Sequence, residues 1–201
     1  MPIPMAGASG RIAPEPVSAV AFRTLMTAFP AGVAVVTTSD ERGQQYGMTC
    51  TALSSVSVSP PTLLVCLQHS SRTLAALNRT GNFAVNLLDD RARAVAELFA
   101  GRGADRFEHV SWTKRQGCGG PHLEQDAHSI ADCQVTGSVN VGDHVVVFGE
   151  VFRVTTEDGT QPSPLVYGMR EYWSLGSPGA VPEHRGRRPG ESSDLDTETS
   201  R

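Results

Sequence analysis

Hydroxyl groups crowd one short stretch of this chain. From Gly47 to Pro61 it reads GMTCTALSSVSVSPP, with Thr49, Thr51, Ser54, Ser55, Ser57 and Ser59 at almost every other place. Apolar filling there is thin, chiefly Met48, Leu53, Val56 and Val58, whereas the following TLLVCL (Thr62 to Leu67) is almost wholly apolar. Small hydroxylated residues let a flat ring lie close to backbone and offer hydrogen bonds to its polar edges. Ser70, Ser71, Arg72 and Thr73 then open a helical pattern. The free N–H groups of a helix start favour an anion, and the Arg72 guanidinium suits phosphate. The combination suggests a groove for a flat, phosphate-bearing cofactor such as a flavin. Serine and threonine also decorate ordinary strands and cap ordinary helices, and spacing alone favours that plainer role.

Other chemistry is excluded by what is missing. The chain holds no G-x-G-x-x-G, G-x-x-x-x-G-K-[ST], H-E-x-x-H or G-x-S-x-G. A dinucleotide would therefore bind without the glycine fingerprint, and zinc-protease and α/β-hydrolase readings have no motif behind them. No paired carboxylates are evident. The four cysteines, Cys50, Cys66, Cys118 and Cys133, form no C-x-x-C pair, which argues against a zinc site. Cys66 and Cys133 sit in apolar strand-like runs and read as reduced core residues; Cys118, in GCGGP, reads as an ordinary surface thiol. His69, His109, His122, His128 and His184 carry no motif and read as surface or loop residues, although His69 adjoins the hydroxyl-rich region. His144 sits at a hairpin corner.

These residues need a scaffold, and the rest of the chain describes one. With 201 residues and a net charge of −4, the chain suits one domain and gives no electrostatic support to nucleic-acid binding. The longest apolar runs are strand-length, so no membrane span is expected. The first residues have no continuous apolar h-region, which points to the cytoplasm. Residues 1–16 and 176–201 read as disordered tails around a domain at 17–175. The second tail carries the basic cluster RGRR (Arg185 to Arg188), which acidic residues follow.

Inside the domain the pattern is mainly β with peripheral helices. Val17, Val20, Ala21, Thr24, Leu25 and Ala28 recur at helical spacing. VAVVTTS (Val33 to Ser39) reads as a buried strand, turned by DERGQ into a partner near Gln45. LLVCL reads as a central strand. SSRTLAALN reads as a short helix with a Ser cap, stopped by Gly81, and NFAVNLL (Asn82 to Leu88) as the next strand. DDRARAVAELFAG reads as a second such helix, with Asp at its start and Gly101 at its end. Two long strand patterns from Ser129 to Thr155 join at VGDH, and PLVYG adds one more strand. Six or more strands with hairpin connections favour an antiparallel barrel.

The blocks FRTLMTAFPAGVAVVTT, GMTCTALSSVSVSPPTLLVCL, SSRTLAAL, FAVNLL, GDHVVVFGEV and PLVYGMREY occur in this order. Together they resemble the flavin reductase components of two-component flavin-dependent monooxygenases, which are FMN-binding split-barrel proteins. The resemblance spans about residues 19 to 175. It implies a homodimeric, six-stranded antiparallel Greek-key split barrel. It also implies FMN or FAD reduced by NADH or NADPH, with a lean to NADH, and reduced flavin passed to a separate monooxygenase. Block by block, Thr49, Cys50, Thr51 and Ala52 match the segment against the isoalloxazine, continued by Ser54 and Ser55. Cys66, Leu67 and Gln68 match the strand end beside the ring or ribityl chain. Ser71 and Arg72 match the flavin phosphate segment, Asn86 and Leu87 a further flavin-contact block, and Phe107, after GADR, a cofactor-side segment. His144 matches a histidine associated with the nicotinamide. Arg170 is the remaining nicotinamide candidate; Met169 stands where relatives often place an arginine. No catalytic nucleophile is implied, only positioning. Two other roles share the resemblance: another FMN oxidase on the same barrel, or a non-catalytic flavin carrier.

Overall fold

The computed structural model describes residues 15–103, 105–156 and 162–175. The expected tails, with RGRR and His184, lie outside the described residues except for Glu15 and Pro16. The chain opens on helix α1 (Ala19–Thr27), whose N-cap Ser18 accepts a hydrogen bond from the Ala21 amide. Strands β1 (Ala31–Gly32), β2 (Ala34–Ser39), β3 (Gln45–Cys50), β4 (Leu53–Val58) and β5 (Pro61–Gln68) follow. Helix α2 (Arg72–Thr80), β6 (Asn82–Leu88) and helix α3 (Arg93–Ala100) come next. After a 3-10 turn at Arg106–Glu108 the chain forms the long β7 (Ala127–Val141) and β8 (His144–Thr156), then β9 (Leu165–Gly168) and β10 (Glu171–Ser174).

The strands form two antiparallel sheets rather than the expected six-stranded barrel. One has seven strands in the order β3-β2-β6-β7-β8-β5-β4, the other three in the order β1-β9-β10. Two local features make the difference. The hydroxyl-rich stretch breaks at Thr51–Ala52 into two strands, β3 and β4, that lie at opposite edges of the large sheet. PLVYG continues through a two-residue turn, with φ of 55° at Met169 and 63° at Arg170, into the extra strand β10. No ladder joins β3 to β4 among the described residues, so the sheet is not closed. Because only two residues connect its opposite edges, the sheet must curl to bring those edges together at one corner.

β2 shows why its sequence is an unbroken β-branched run: all six of its residues are buried. Ala34 and Val36 face the core inside the curled sheet, with Val65, Leu67, Phe83, Val85 and Val147. Val33 and Val35 face a second core with Leu88, Ala96, Phe99, Leu123 and Leu165. Each buried side chain of this size contributes about 2 kcal/mol of apolar burial. α2 plugs the inner core through Leu74 and Leu77. Its ends match the sequence: the Ser71 hydroxyl accepts from the Leu74 amide at 3.3 Å, and Gly81 closes it in the left-handed region at φ 69°.

α3 departs from expectation. Its N-cap is Ala92, without a side-chain hydrogen bond. The aspartate expected to favour its start faces elsewhere: Asp90 accepts hydrogen bonds from Ser163 Oγ (2.7 Å) and Ser174 Oγ, pinning the chain around β9 and β10. His122 also departs, being buried beside Asp132 rather than at the surface. No described helix is long and apolar enough to cross a membrane.

Candidate functional site

The hydroxyl-rich stretch, the helix start and the GADRF loop meet around one cavity of about 1030 Å³. One wall is β3, from Gln45 to Thr49. Gln68 ends β5 at another, and Ser70 to Thr73 bring in the N-terminus of α2. The last residues of α3 and the loop to Glu108 complete it.

Positive charge gathers at this cavity. Arg72 lines it from the start of α2, and Arg102 and Arg106 from the loop after α3, which also carries Asp105 and Glu108. Arg106 is locked by its own bonds. Its Nη1 donates to Gly47 O (2.7 Å) and Phe99 O (3.3 Å), and its Nη2 donates to Gly101 O. Its buried Nε has no hydrogen-bond partner among the described residues. Burial, and then the nearby Arg72 charge, pull the Arg106 guanidinium below its usual pKa. An anion placed between the two would relieve that repulsion. Arg72 Nη2 rests on Gly103 O at 3.1 Å. Ser71 Oγ, besides capping α2, donates to Met48 Sδ at 3.1 Å and so ties the helix start to β3.

Phe107 holds the loop in place. Its ring packs edge-on against Phe99 (5.1 Å) and Trp112 (5.9 Å). A Cβ on Gly47 would stand 2.7 Å from the Phe99 ring and 3.2 Å from the Phe107 ring, so only glycine lets β3 pass beneath them. Thr49 donates to Ala96 O at 2.6 Å, fastening α3 to the same strand.

Thr49, Gln68, Ser71, Arg72 and Phe107 thus share this cavity, as grouped from the sequence. Thr51 and Leu87 line a second, more apolar cavity of about 400 Å³ with Phe29, Leu53, His128 and Leu165. Cys50 is buried between, its thiol directed at Ala52 O (3.5 Å) and Cys66 O (3.9 Å). Cys66 is half-buried, and its amide donates to Ala52 O at 2.9 Å. Ala52, Ser54 and Ser55 are exposed at the open β4 edge.

Two side chains grouped with the flavin belong to the interior instead. Leu67 is fully buried in the inner core. Asn86 is fully buried and spends its amide on the fold: Nδ2 donates to Val35 O, Thr37 Oγ1 and Pro121 O, and Oδ1 accepts from the Leu123 amide. His144 starts β8 directly across from Gln68, which lines the large cavity, but His144 itself lines neither cavity. Its Nδ1 lies 2.8 Å from Asp143 Oδ1, a bond that holds the Asp143 carboxyl below its ordinary pKa. Arg170 lies exposed in the β9–β10 turn and lines neither cavity. Arg106 was not singled out from sequence, although it immediately precedes Phe107; two arginines thirty-four positions apart give no local signal that they face one space.

A family described as "Flavin reductase like domain" matches residues 26–176, three quarters of the chain. The chain belongs to this flavin reductase-like family. A "Flavin reductase (NADPH)" of Lentzea aerocolonigenes is 51% identical over 156 residues, covering 78% of this chain and 89% of the relative. A "Flavin reductase (NADH)" of Kitasatospora aureofaciens is 40% identical over 161 residues, 80% of this chain and 84% of the relative. Among solved structures, the styrene monooxygenase flavin reductase SMOB of Pseudomonas putida S12 superposes with a TM-score of 0.70 at 30% identity, covering 78% of this chain and 98% of its own. The large cavity of this flavin reductase-like chain lies within the family-matched region.

Proposed function

We propose that this protein is an NAD(P)H:flavin oxidoreductase that reduces FMN or FAD and supplies reduced flavin to a separate monooxygenase. The observation that carries this reading is the large cavity, where a helix start and two guanidiniums converge in a flavin reductase-like fold. The donor set fits a flavin phosphate: the Ser71 hydroxyl, the first-turn amides of α2, and Arg72. Thr49 and the segment through Ser55 lead away from that end toward the exposed β4 edge, where the ring would lie against backbone. His144, beside Gln68, orients the nicotinamide. The bound pair supplies the chemistry, hydride transfer from nicotinamide C4 to flavin N5, so the protein's work is stacking the rings and excluding water.

The nucleotide preference rests on opposing hints. The resemblance leans to NADH, while the 51% identical relative is named for NADPH. The partner monooxygenase is supported by relatives such as SMOB, which is named as a reductase for one. Homodimerisation is supported by α1. It buries none of its residues in the described chain, and Phe22, Leu25 and Met26 on it, with Phe29 just past its C-cap, are exposed apolar residues. Four free cysteines suit a reducing cytoplasm.

The test is oxidation of NADH and of NADPH by purified protein under air, with and without added FMN or FAD. Turnover that depends on added flavin is expected, and the rate ratios give both preferences. Flavin binding without turnover by either nucleotide would replace this reading with a flavin carrier.

A further inference from the structure

Apart from both cavities, a second group of reactive side chains converges near the loop before β7. Cys118, His122 and Asp132 each place one ligand atom within 4.8 Å of the others. His122 is 2% exposed and Asp132 1%. His122 Nε2 lies 2.9 Å from Asp132 Oδ1, which also accepts the Gly119 amide at 2.7 Å. Asp132 Oδ2 is buried and has no hydrogen-bond partner among the described residues. A buried carboxylate oxygen without a donor is costly unless a cation answers it. Arg153, 42% exposed, stands 3.8 Å from Oδ2, and its Nη1 donates to Cys118 Sγ at 3.3 Å.

The backbone around these groups is fixed before any ligand arrives. A Cβ on Gly119 would stand 2.2 Å from Phe83 O, and one on Gly120 2.4 Å from Thr37 O. Thr37 Oγ1 donates to Pro121 O at 2.6 Å. The loop thus lies backbone against backbone on β2 and β6, and Asp132 projects from the adjoining β7. Such support is what a ligand set needs to hold its geometry.

We propose that Cys118, His122 and Asp132 form a transition-metal site suited to Zn²⁺. Thiolate, imidazole and carboxylate are the ligand types zinc takes, and the thiolate disfavours Mg²⁺ and Ca²⁺. With Zn–S near 2.3 Å and Zn–N or Zn–O near 2.0 Å, tetrahedral ligand atoms stand roughly 3.5 Å apart, inside the 4.8 Å that spans this cluster, while the 2.9 Å His122–Asp132 hydrogen bond opens. On binding, the Cys118 thiol loses its proton to solvent, the proton shared by His122 and Asp132 moves to the ring nitrogen of His122 that does not take the metal, and Arg153 withdraws from the sulfur. The ion then balances one thiolate and one carboxylate, engages the Oδ2 that no hydrogen bond reaches, and leaves a fourth position to water. The site fastens the loop to β7 and does not depend on the flavin reading.

The experiment uses flavin-free, chelator-washed protein. Zn²⁺ affinity is measured by competition with a chromophoric chelator, and Co²⁺ serves as the spectroscopic probe. One Zn²⁺ per chain is expected, with a thiolate-to-cobalt charge-transfer band. Cys118→Ser, at a half-buried loop position, should lose that band and bind Zn²⁺ about 100-fold more weakly, since even supporting residues cost 10–100-fold. Arg153→Met, which removes the competing cation, should bind Zn²⁺ more tightly. The proposal is overturned if wild-type protein shows no cobalt–thiolate band, or if Cys118→Ser binds as tightly as wild type. Weaker binding by Arg153→Met would make the cluster an ion-pair network instead.

Discussion

Arg72 and Arg106 divide one task by burial. Arg106 is spent on three backbone carbonyls and shapes the loop, whereas Arg72 is exposed and held by a single bond to Gly103 O, which it can exchange for a ligand. Arg72→Ala should therefore raise the flavin KM roughly tenfold, about 1.4 kcal/mol, with thermal stability unchanged. Arg106→Ala should instead lower the melting temperature as well as flavin affinity, because Gly47 O, Phe99 O and Gly101 O lose their donor. Steady-state kinetics beside thermal melts separate the two. His144→Ala should slow reduction of bound flavin by the nucleotide in stopped flow while flavin affinity holds; an unchanged rate would remove His144 from the nicotinamide site. Two buried thiols set an alkaline limit. Burial raises Cys50 to about 11 and Cys133 to about 12, against 9.0 for an unperturbed thiol. Folding keeps both protonated, so their contribution is complete below pH 9 and is lost as pH rises through the folded values. By pH 11 each should cost on the order of 2 kcal/mol. Melting curves from pH 8 to 11 should fall less steeply for Cys133→Ala than for wild type.

At the scale of elements, the loop at Gly119–Gly120 depends on closeness of backbones. Gly120→Ala would set a methyl against Thr37 O and Thr37 C, which belong to a fully buried strand and have nowhere to move. A loss of about 3 kcal/mol is expected, roughly 10 °C in melting temperature for a domain of this size. An unchanged melt would mean the loop lifts off β2. Most elements were legible because local patterns dominate them. The β2 run, the capped α2 and the β7–β8 hairpin follow from β-branched residues, a Ser cap with a closing Gly, and the VGDH turn. α3 was legible as a helix, but its aspartates were not, because Ser163 and Ser174 compete for Asp90 from more than seventy residues away. The break at Thr51–Ala52 was equally hidden, since alternating residues continue through it.

Over the whole molecule, the unsatisfied surface is α1 and the open sheet edge. Mass measurement in solution should find a dimer, and Leu25→Glu with Phe29→Glu should shift it to monomer, since both residues are exposed in the single chain. A wild-type monomer would leave the exposed apolar residues of α1 without that explanation. Within the chain, the two cavities meet different parts of one hydroxyl-rich segment, which carries Thr49 to the first and Thr51 to the second.

By itself, the sequence determined the mainly β character, the order of most elements and the Ser71 cap that opens α2, because turn chemistry, capping and hydrophobic period act over a few positions. Only the tertiary structure decided which polar groups were available. Asn86 and His122 carry no local sign of burial, and their partners Pro121, Leu123 and Asp132 come from other segments. It likewise brought Arg106 opposite Arg72 and Cys118 beside Asp132. The physical reason is the same throughout: a side chain's solvation and its long-range partners exist only once distant segments share one interior, and those two properties decide its chemistry.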